Sequence, residues 1–203
     1  AGTAYAVHNS IWDSTAPLLQ PYSNNNFLPM IIISLISGPF FGIVSIVFMR
    51  SIIFFSKIPA RLGLPDLVIL GIAVLSLSII GTYVPEVMGL GTKTIISLSN
   101  SDTLFFIAIV ILVAKIIATS VSLGFGFFGG VFSPALLIGA AAGAAATALI
   151  SQTGLYNFEG GELVICGMAA VTGAVIGAPL SMIIIVLELT GSYGLALTST
   201  VGI

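Results

Sequence analysis

Long apolar runs separated by short polar segments make up most of the chain from residue 27 onward. Crossing the hydrocarbon core of a membrane takes about 20 consecutive apolar residues. Four runs have that length, at residues 27–49, 67–84, 103–123 and 131–150. Charged residues lie mostly at their ends, and only Lys115 interrupts one of them. The pattern predicts at least four membrane-spanning helices.

A fifth apolar stretch, residues 163–187, carries Gly173, Gly177 and Pro179 in its interior. Proline lacks a backbone N–H and glycine tolerates a helix end, so an uninterrupted helix is unfavourable here. We therefore expect two shorter helices that meet near residues 176–179.

Two further segments do not read as complete spans. Residues 89–100, "GLGTKTIISLSN", are too short and too polar to cross a membrane, and they suit a loop or a re-entrant piece. Residues 193–203 read as the start of a further helix. Irregular backbone at membrane depth is tolerated where it is buried in protein or lines a wet cavity, and it often marks a transport site.

Composition agrees with this interpretation. Of 203 residues, 58% are hydrophobic and 6% are charged, whereas soluble domains carry about 25% charged residues. With five basic and seven acidic side chains, the chain lacks the excess of positive charge that is typical of nucleic-acid-binding proteins. The chain starts without methionine and ends inside an apolar pattern, so we expect a fragment of a longer integral membrane protein.

Charge and small residues give two weaker signals. Arg50, Lys57 and Arg61 form the one basic cluster, so we expect a cytoplasmic loop at 50–61 and an external loop at 154–162. Glycines four apart favour close helix packing, and three such pairs occur: Gly38 with Gly42, Gly139 with Gly143, and Gly173 with Gly177.

The single cysteine, Cys166, is expected to be a packed core residue.

The segment "GFGFFGGVFSP", residues 124–134, is the most informative in the chain. The segment contains four glycines, Gly124, Gly126, Gly129 and Gly130. Glycine favours irregular backbone because it adopts positive φ without strain. Ser133 followed by Pro134 predicts a helix start, because serine is a preferred N-cap and proline suits the first helical position. The chain is thus expected to begin a helix within the membrane.

A helix start at that depth favours an anion. The first turn has backbone N–H groups without partners and carries about half a positive charge, and an anion supplies the missing acceptor. Segment 124–134 contains no Lys or Arg, which fits binding weak enough to reverse during conduction. The alternative is a helix kink that only packs.

Three motifs resemble the CLC family of chloride channels and chloride/proton antiporters. Residues 130–134, "GVFSP", fit the family's G-x-F-x-P motif. Residues 177–193, "GAPLSMIIIVLELTGSY", resemble its A-P-L … V-L-E-x-T segment, and residues 166–175 resemble the helix between the two. The order and spacing of the motifs also agree with the family.

The resemblance implies an all-α integral membrane fold of tilted, broken and re-entrant helices. A subunit of that family has two inverted halves, and residues 1–203 resemble most of the second half, without the first half and the final helix. The resemblance also implies a multi-pass protein of the cell membrane and a homodimer with contacts at 180–187 and 195–201. No enzymatic activity, metal or cofactor is implied; chloride is the transported ligand.

The resemblance also assigns site residues. The backbone amides of Val131 and Phe132 would face the chloride ion, and the ring of Phe132 would narrow the pore. Gly130 and Ser133 are the other two residues that the resemblance assigns to chloride binding. Supporting positions are Gly129, Pro134, Pro179 and Glu188.

Two charged residues at membrane depth are interpreted as structural. Glu188 is expected to hydrogen-bond nearby backbone or hydroxyl groups. Lys115 is expected to snorkel or to pair with a carboxylate. The family's G-S-G-I-P and G-R/K-E-G-P motifs are absent from these residues. A channel and a proton-coupled antiporter therefore both remain open, with protons as a second possible cargo.

Three alternatives have different requirements. Another broken-helix secondary transporter of small solutes would need polar side chains within its spans, and few are present. An intramembrane serine hydrolase would need a base near its serine, yet the single histidine, His8, precedes every span. A membrane scaffold without transport would not need the glycine-rich segment.

Overall fold

The computed structural model describes residues 27–100, 104–152, 161–190 and 193–202. Regular structure in these ranges is helical throughout, as predicted. The helices are α1 (Phe27–Leu62), α2 (Asp66–Tyr83), a short 3-10 helix (Pro85–Val87), α3 (Thr92–Asn100), α4 (Phe105–Gly124), α5 (Phe132–Gln152), α6 (Glu162–Ile176), α7 (Pro179–Thr190) and α8 (Tyr193–Gly202). The predicted external loop at 154–162 lies almost wholly outside the described residues.

Four of the helices, α1, α2, α4 and α5, are long and apolar enough to cross a membrane. They correspond to the four predicted spans, but α1 does not stop at residue 49. It continues to Leu62, for 36 residues in all, so the predicted basic loop at 50–61 is wrong. Arginine and lysine are good helix formers, and a charge marks the membrane edge without ending a helix. At about 1.5 Å per residue, α1 exceeds the hydrocarbon thickness of about 30 Å.

The break predicted in the fifth apolar stretch is confirmed. Helix α6 ends at Ile176, and Gly177 follows with φ +72°, its N–H donating to the carbonyl of Gly173 at 2.9 Å. This left-handed cap closes a helix with little strain only for glycine or asparagine. Pro179 then opens α7, where no backbone donor is needed.

Helices α5 and α6 form the centre of the fold, and glycines set their separation. A Cβ on Gly139 would lie 2.7 Å from the Cα of Met168, and one on Gly143 would lie 2.5 Å from the Cα of Val164. The predicted tight packing at this glycine pair is therefore confirmed. By contrast, a Cβ on Gly42 would meet nothing within 4 Å.

Burial follows the same division between centre and periphery. The middle of α5 and nearly all of α6 are buried, including Cys166, as predicted. Large apolar side chains stay exposed along α1 and α2, for example Ile36 and Leu75. Such a surface suits lipid as the surrounding solvent, because lipid does not penalise apolar exposure.

Residues 89–100 form a turn followed by a helix. Gly89 and Gly91 have φ values of +68° and +75°, and α3 follows with its Ile95 N–H bonded to the Gly91 carbonyl at 2.9 Å. Helix α3 packs against α5, with Ile95 and Leu98 buried. The predicted loop or re-entrant piece is thus a nine-residue helix held against the centre of the fold.

Candidate functional site

The glycine-rich segment connects α4 to α5, and its two ends are held by packing and hydrogen bonds. Gly124 ends α4 so close to α1 that a Cβ there would lie 2.7 Å from the carbonyl carbon of Phe55. Gly126 has φ +98°, the left-handed conformation expected of this segment. Gly124, Gly129 and Gly130 do not have positive φ. Close packing explains Gly124, and a left-handed bend explains Gly126.

Helix α5 begins at Phe132, two residues before the predicted start at Pro134. Its first hydrogen bond joins the Ala135 N–H to the Val131 carbonyl at 3.0 Å. Val131 is therefore the residue that precedes the helix, and Phe132, Ser133 and Pro134 form its first turn. The assignment of Ser133 as N-cap is wrong.

Ser133 has a different partner. Its hydroxyl donates to the carbonyl oxygen of Leu90 at 3.0 Å. Leu90 lies in the turn before α3, 43 residues away in sequence. The serine thus ties the first turn of α5 to a distant part of the chain instead of capping its own helix.

Three consecutive backbone donors remain at the start of α5. The N–H groups of Val131, Phe132 and Ser133 have no acceptor in the part of the chain that the structure describes. Pro134 has no N–H, so the first turn presents these donors and no fourth one. With the positive end of the dipole of a 21-residue helix, they form a surface that favours an anion.

The donors lie at an open face of the described structure. Gly129 and Gly130 are exposed, Phe128 is fully exposed, and the side chain of Phe132 is 40% exposed. Val131 and Ser133 are half-buried. Other described residues therefore do not enclose these donors.

The turn at residues 87–91, which we call the 87–91 turn, also contacts α4. Lys115 is buried in α4, and its Nζ donates to the carbonyl oxygens of Val87 at 2.7 Å and Gly89 at 3.1 Å. The expectation that this lysine snorkels or pairs with a carboxylate is wrong, because the side chain is buried and two of its donors bind backbone carbonyl groups.

The two remaining predicted support positions lie elsewhere. Pro179 and Glu188 belong to α7, which packs on α6 and α8. Glu188 is half-buried, and its Oε1 atom has no hydrogen-bond partner among the described residues. The predicted hydrogen bond from Glu188 to nearby backbone or hydroxyl groups is therefore not observed at Oε1.

Sequence reasoning missed the contribution of the 87–91 turn. Its "MGLG" sequence did carry a signal, since glycine often marks a turn and adopts positive φ without strain. The partners of the turn, Lys115 and Ser133, are distant in sequence, and no local pattern points to them.

Comparison with known proteins gives a consistent result. The family model described as "Voltage gated chloride channel" matches residues 1–203. An "H(+)/Cl(-) exchange transporter ClcA" from Vibrio campbellii is 30% identical over 205 residues, which cover 96% of this chain and 42% of that protein. A "Putative chloride channel protein ClcB-like" from Ralstonia nicotianae is 33% identical over 144 residues, covering 68% and 32%.

A further exchange transporter, from Salmonella agona, is 35% identical over 123 residues, covering 59% of this chain and 25% of that protein. The chain thus spans less than half the length of each of these relatives. The family match over all 203 residues and the four helices of membrane-spanning length point to the same class of multi-pass membrane protein. The chain belongs to the voltage gated chloride channel family.

Proposed function

We propose that the intact protein transports chloride across a membrane and binds it at the start of α5. The backbone amides of Val131 and Phe132 are the principal donors, flanked by Gly130 and Ser133. The observation that carries the proposal is the set of three consecutive N–H groups without an acceptor in the described part of the chain.

The chemistry of these donors suits transport better than tight binding. Segment 124–134 contains no Lys or Arg, so attraction comes from amide dipoles and the end of the helix. A desolvated full charge would hold an anion strongly, whereas conduction needs binding that reverses quickly. Backbone amides at a helix start also bind oxyanions, so the choice of chloride rests on the relatives described above.

The relatives support chloride as the cargo, and they leave two modes of transport. Two of those described above are named as proton/chloride exchange transporters and one as a putative chloride channel. We propose a transporter and not an enzyme, with protons as a second cargo if it is an exchanger. A homodimer in the cell membrane is part of the same proposal.

Chloride flux from liposomes that contain the intact protein tests this function. We expect chloride efflux, and we expect it to continue when sodium and small organic solutes are left out. Chloride efflux that drives proton uptake against a gradient would identify an exchanger, and efflux without proton movement would identify a channel. Absence of chloride flux, with uptake of another solute, would favour a different broken-helix transporter.

A further inference from the structure

Lys115 is the starting point, because a buried ammonium group needs compensating hydrogen bonds. Its side chain is 5% exposed in the middle of α4. Burial of such a group is costly unless its donors are satisfied. Two of them bind the carbonyl oxygens of Val87 and Gly89. The lysine thus holds both sides of Met88 at the beginning of the 87–91 turn.

The other end of the same turn holds α5. The Leu90 carbonyl accepts the bond from the Ser133 hydroxyl at 3.0 Å. A Cβ on Gly91 would lie 2.7 Å from a methyl carbon of Leu137, so the turn also packs closely on the second turn of α5. A continuous connection therefore runs from Lys115, through the 87–91 turn, to the first turn of α5.

Val131 packs against the core, but the two glycines before it have few packing contacts. A Cβ on Gly130 would meet nothing within 4 Å, and one on Gly129 would meet a single side-chain carbon at 3.5 Å. Binding geometry needs supporting bonds behind the groups that touch the ligand. Within the described residues, the Ser133 hydroxyl provides the hydrogen bond from the first turn of α5 to another element.

We propose that Lys115 is a positioning residue for the anion site, acting through the 87–91 turn and Ser133 to fix the amides of Val131 and Phe132. The proposal rests on the proposed function, since it assumes that these amides bind the anion. Lys115 itself does not touch the ion. Its effect passes through two sets of hydrogen bonds to backbone carbonyl groups.

Four variants of the intact protein separate positioning from charge and from general stability. Lys115→Met keeps the apolar stem and removes the donors, whereas Lys115→Arg keeps donors. Lys93→Met is the matched control, because it removes one positive charge from the exposed face of neighbouring α3 without touching the connection. Ser133→Ala cuts the connection at its other end.

Halide affinity, measured by calorimetry, is the first readout. Loss of a hydrogen bond of this kind corresponds to about a threefold to tenfold change in an equilibrium. Lys115→Met and Ser133→Ala should each weaken halide binding by that factor, Lys115→Arg should restore most of it, and Lys93→Met should leave it unchanged. The double variant Lys115→Met with Ser133→Ala should lose no more than the weaker-binding single variant, because both cut one connection.

Amide hydrogen exchange without halide is the second readout. The Ala135 and Ile95 N–H groups close the first turns of α5 and α3. Their exchange should accelerate in Lys115→Met and stay unchanged in Lys93→Met. If Lys115→Met does not fold, Ser133→Ala carries the test, because it leaves no orphaned group in the core and should still accelerate Ala135 exchange.

The outcomes keep this inference separate from the proposed function. A wild-type protein that binds no halide would contradict the function, and the exchange rates would still show whether Lys115 holds the turn. A protein that binds halide equally well with and without the Lys115 donors would contradict the positioning role and leave the function intact. Additive losses in the double variant would also contradict it.

Discussion

Gly139 and Gly167 face each other where α5 crosses α6, so closely that a Cβ on Gly139 would overlap the carbonyl oxygen of Gly167. A Cβ on Gly167 would in turn meet the backbone of Gly143 at 3.0–3.1 Å. Lipid tails are as apolar as the side chains of the protein, so helices in a membrane associate through close packing and not through hydrophobic burial. The helix that carries the candidate site is therefore anchored by backbone contact.

The first prediction follows from this contact. Gly139→Ala should destabilise the protein by about 1–3 kcal/mol, because the added methyl group meets backbone atoms that cannot rotate away. Thermal unfolding in detergent measures the change. Gly42→Ala is the matched control, since it lies within a helix and its methyl group would meet nothing within 4 Å. Equal stability of the two variants would contradict the account of the α5–α6 contact.

The second prediction concerns orientation in the membrane. The end of α1 carries Arg50, Lys57 and Arg61, all exposed. Basic residues next to a span favour the cytoplasmic side, so we expect this end to be cytoplasmic and residues 154–162 to be external. A cysteine introduced as Lys57→Cys should react with a membrane-impermeant thiol reagent only after permeabilisation. Reaction from outside intact cells would contradict the orientation.

The third prediction concerns the homodimer. Ile184 on α7 and Leu197 on α8 are 54% and 57% exposed, within the two segments proposed for the contact. Ile184→Trp or Leu197→Trp should lower the dimer fraction in detergent and leave the subunit folded. Leu75→Trp, at a similarly exposed position on α2, is the control that should dimerise normally. An unchanged dimer fraction in both interface variants would indicate that another surface pairs the subunits.

The spans and the break near Pro179 were predictable from the sequence, because both depend on local composition. Hydrophobic runs of membrane length identify helices, and Gly177 with Pro179 provides a stop and a start within three residues. The length of α1 was not predictable in this way. Its apolar run ends at Met49, yet the helix continues for 13 more residues, because hydropathy reports the surrounding solvent and not the backbone hydrogen bonds.

The position of the candidate site was predicted more accurately than its geometry. The glycine-rich segment and the following helix start were identified, but the role of Ser133 was wrong. Local propensity favours a serine N-cap, but the helix starts one residue before Ser133, whose hydroxyl donates to the Leu90 carbonyl, 43 residues away. The partners of Lys115 were missed for the same reason. Contacts between distant segments leave no periodic signal in a single sequence.

The central claim is that backbone N–H groups bind the anion, and substitutions at Phe132 separate backbone from side chain. Phe132→Ala keeps the amide and should keep measurable halide binding. Phe132→Pro removes the donor. Because Phe132 is the first residue of α5, where proline is well tolerated, the helix should persist in this variant. Much weaker binding by the proline variant than by the alanine variant is the expected result.

Replacing the amide between Val131 and Phe132 by an ester tests the claim most directly, since it removes one N–H and leaves both side chains in place. A hydrogen bond to a charged group contributes about 1.5–3 kcal/mol, so halide affinity measured by calorimetry on the intact protein should fall on the order of 10- to 100-fold. Equal affinity of the ester and the unmodified protein would contradict the account and leave the glycine-rich segment as a packing kink.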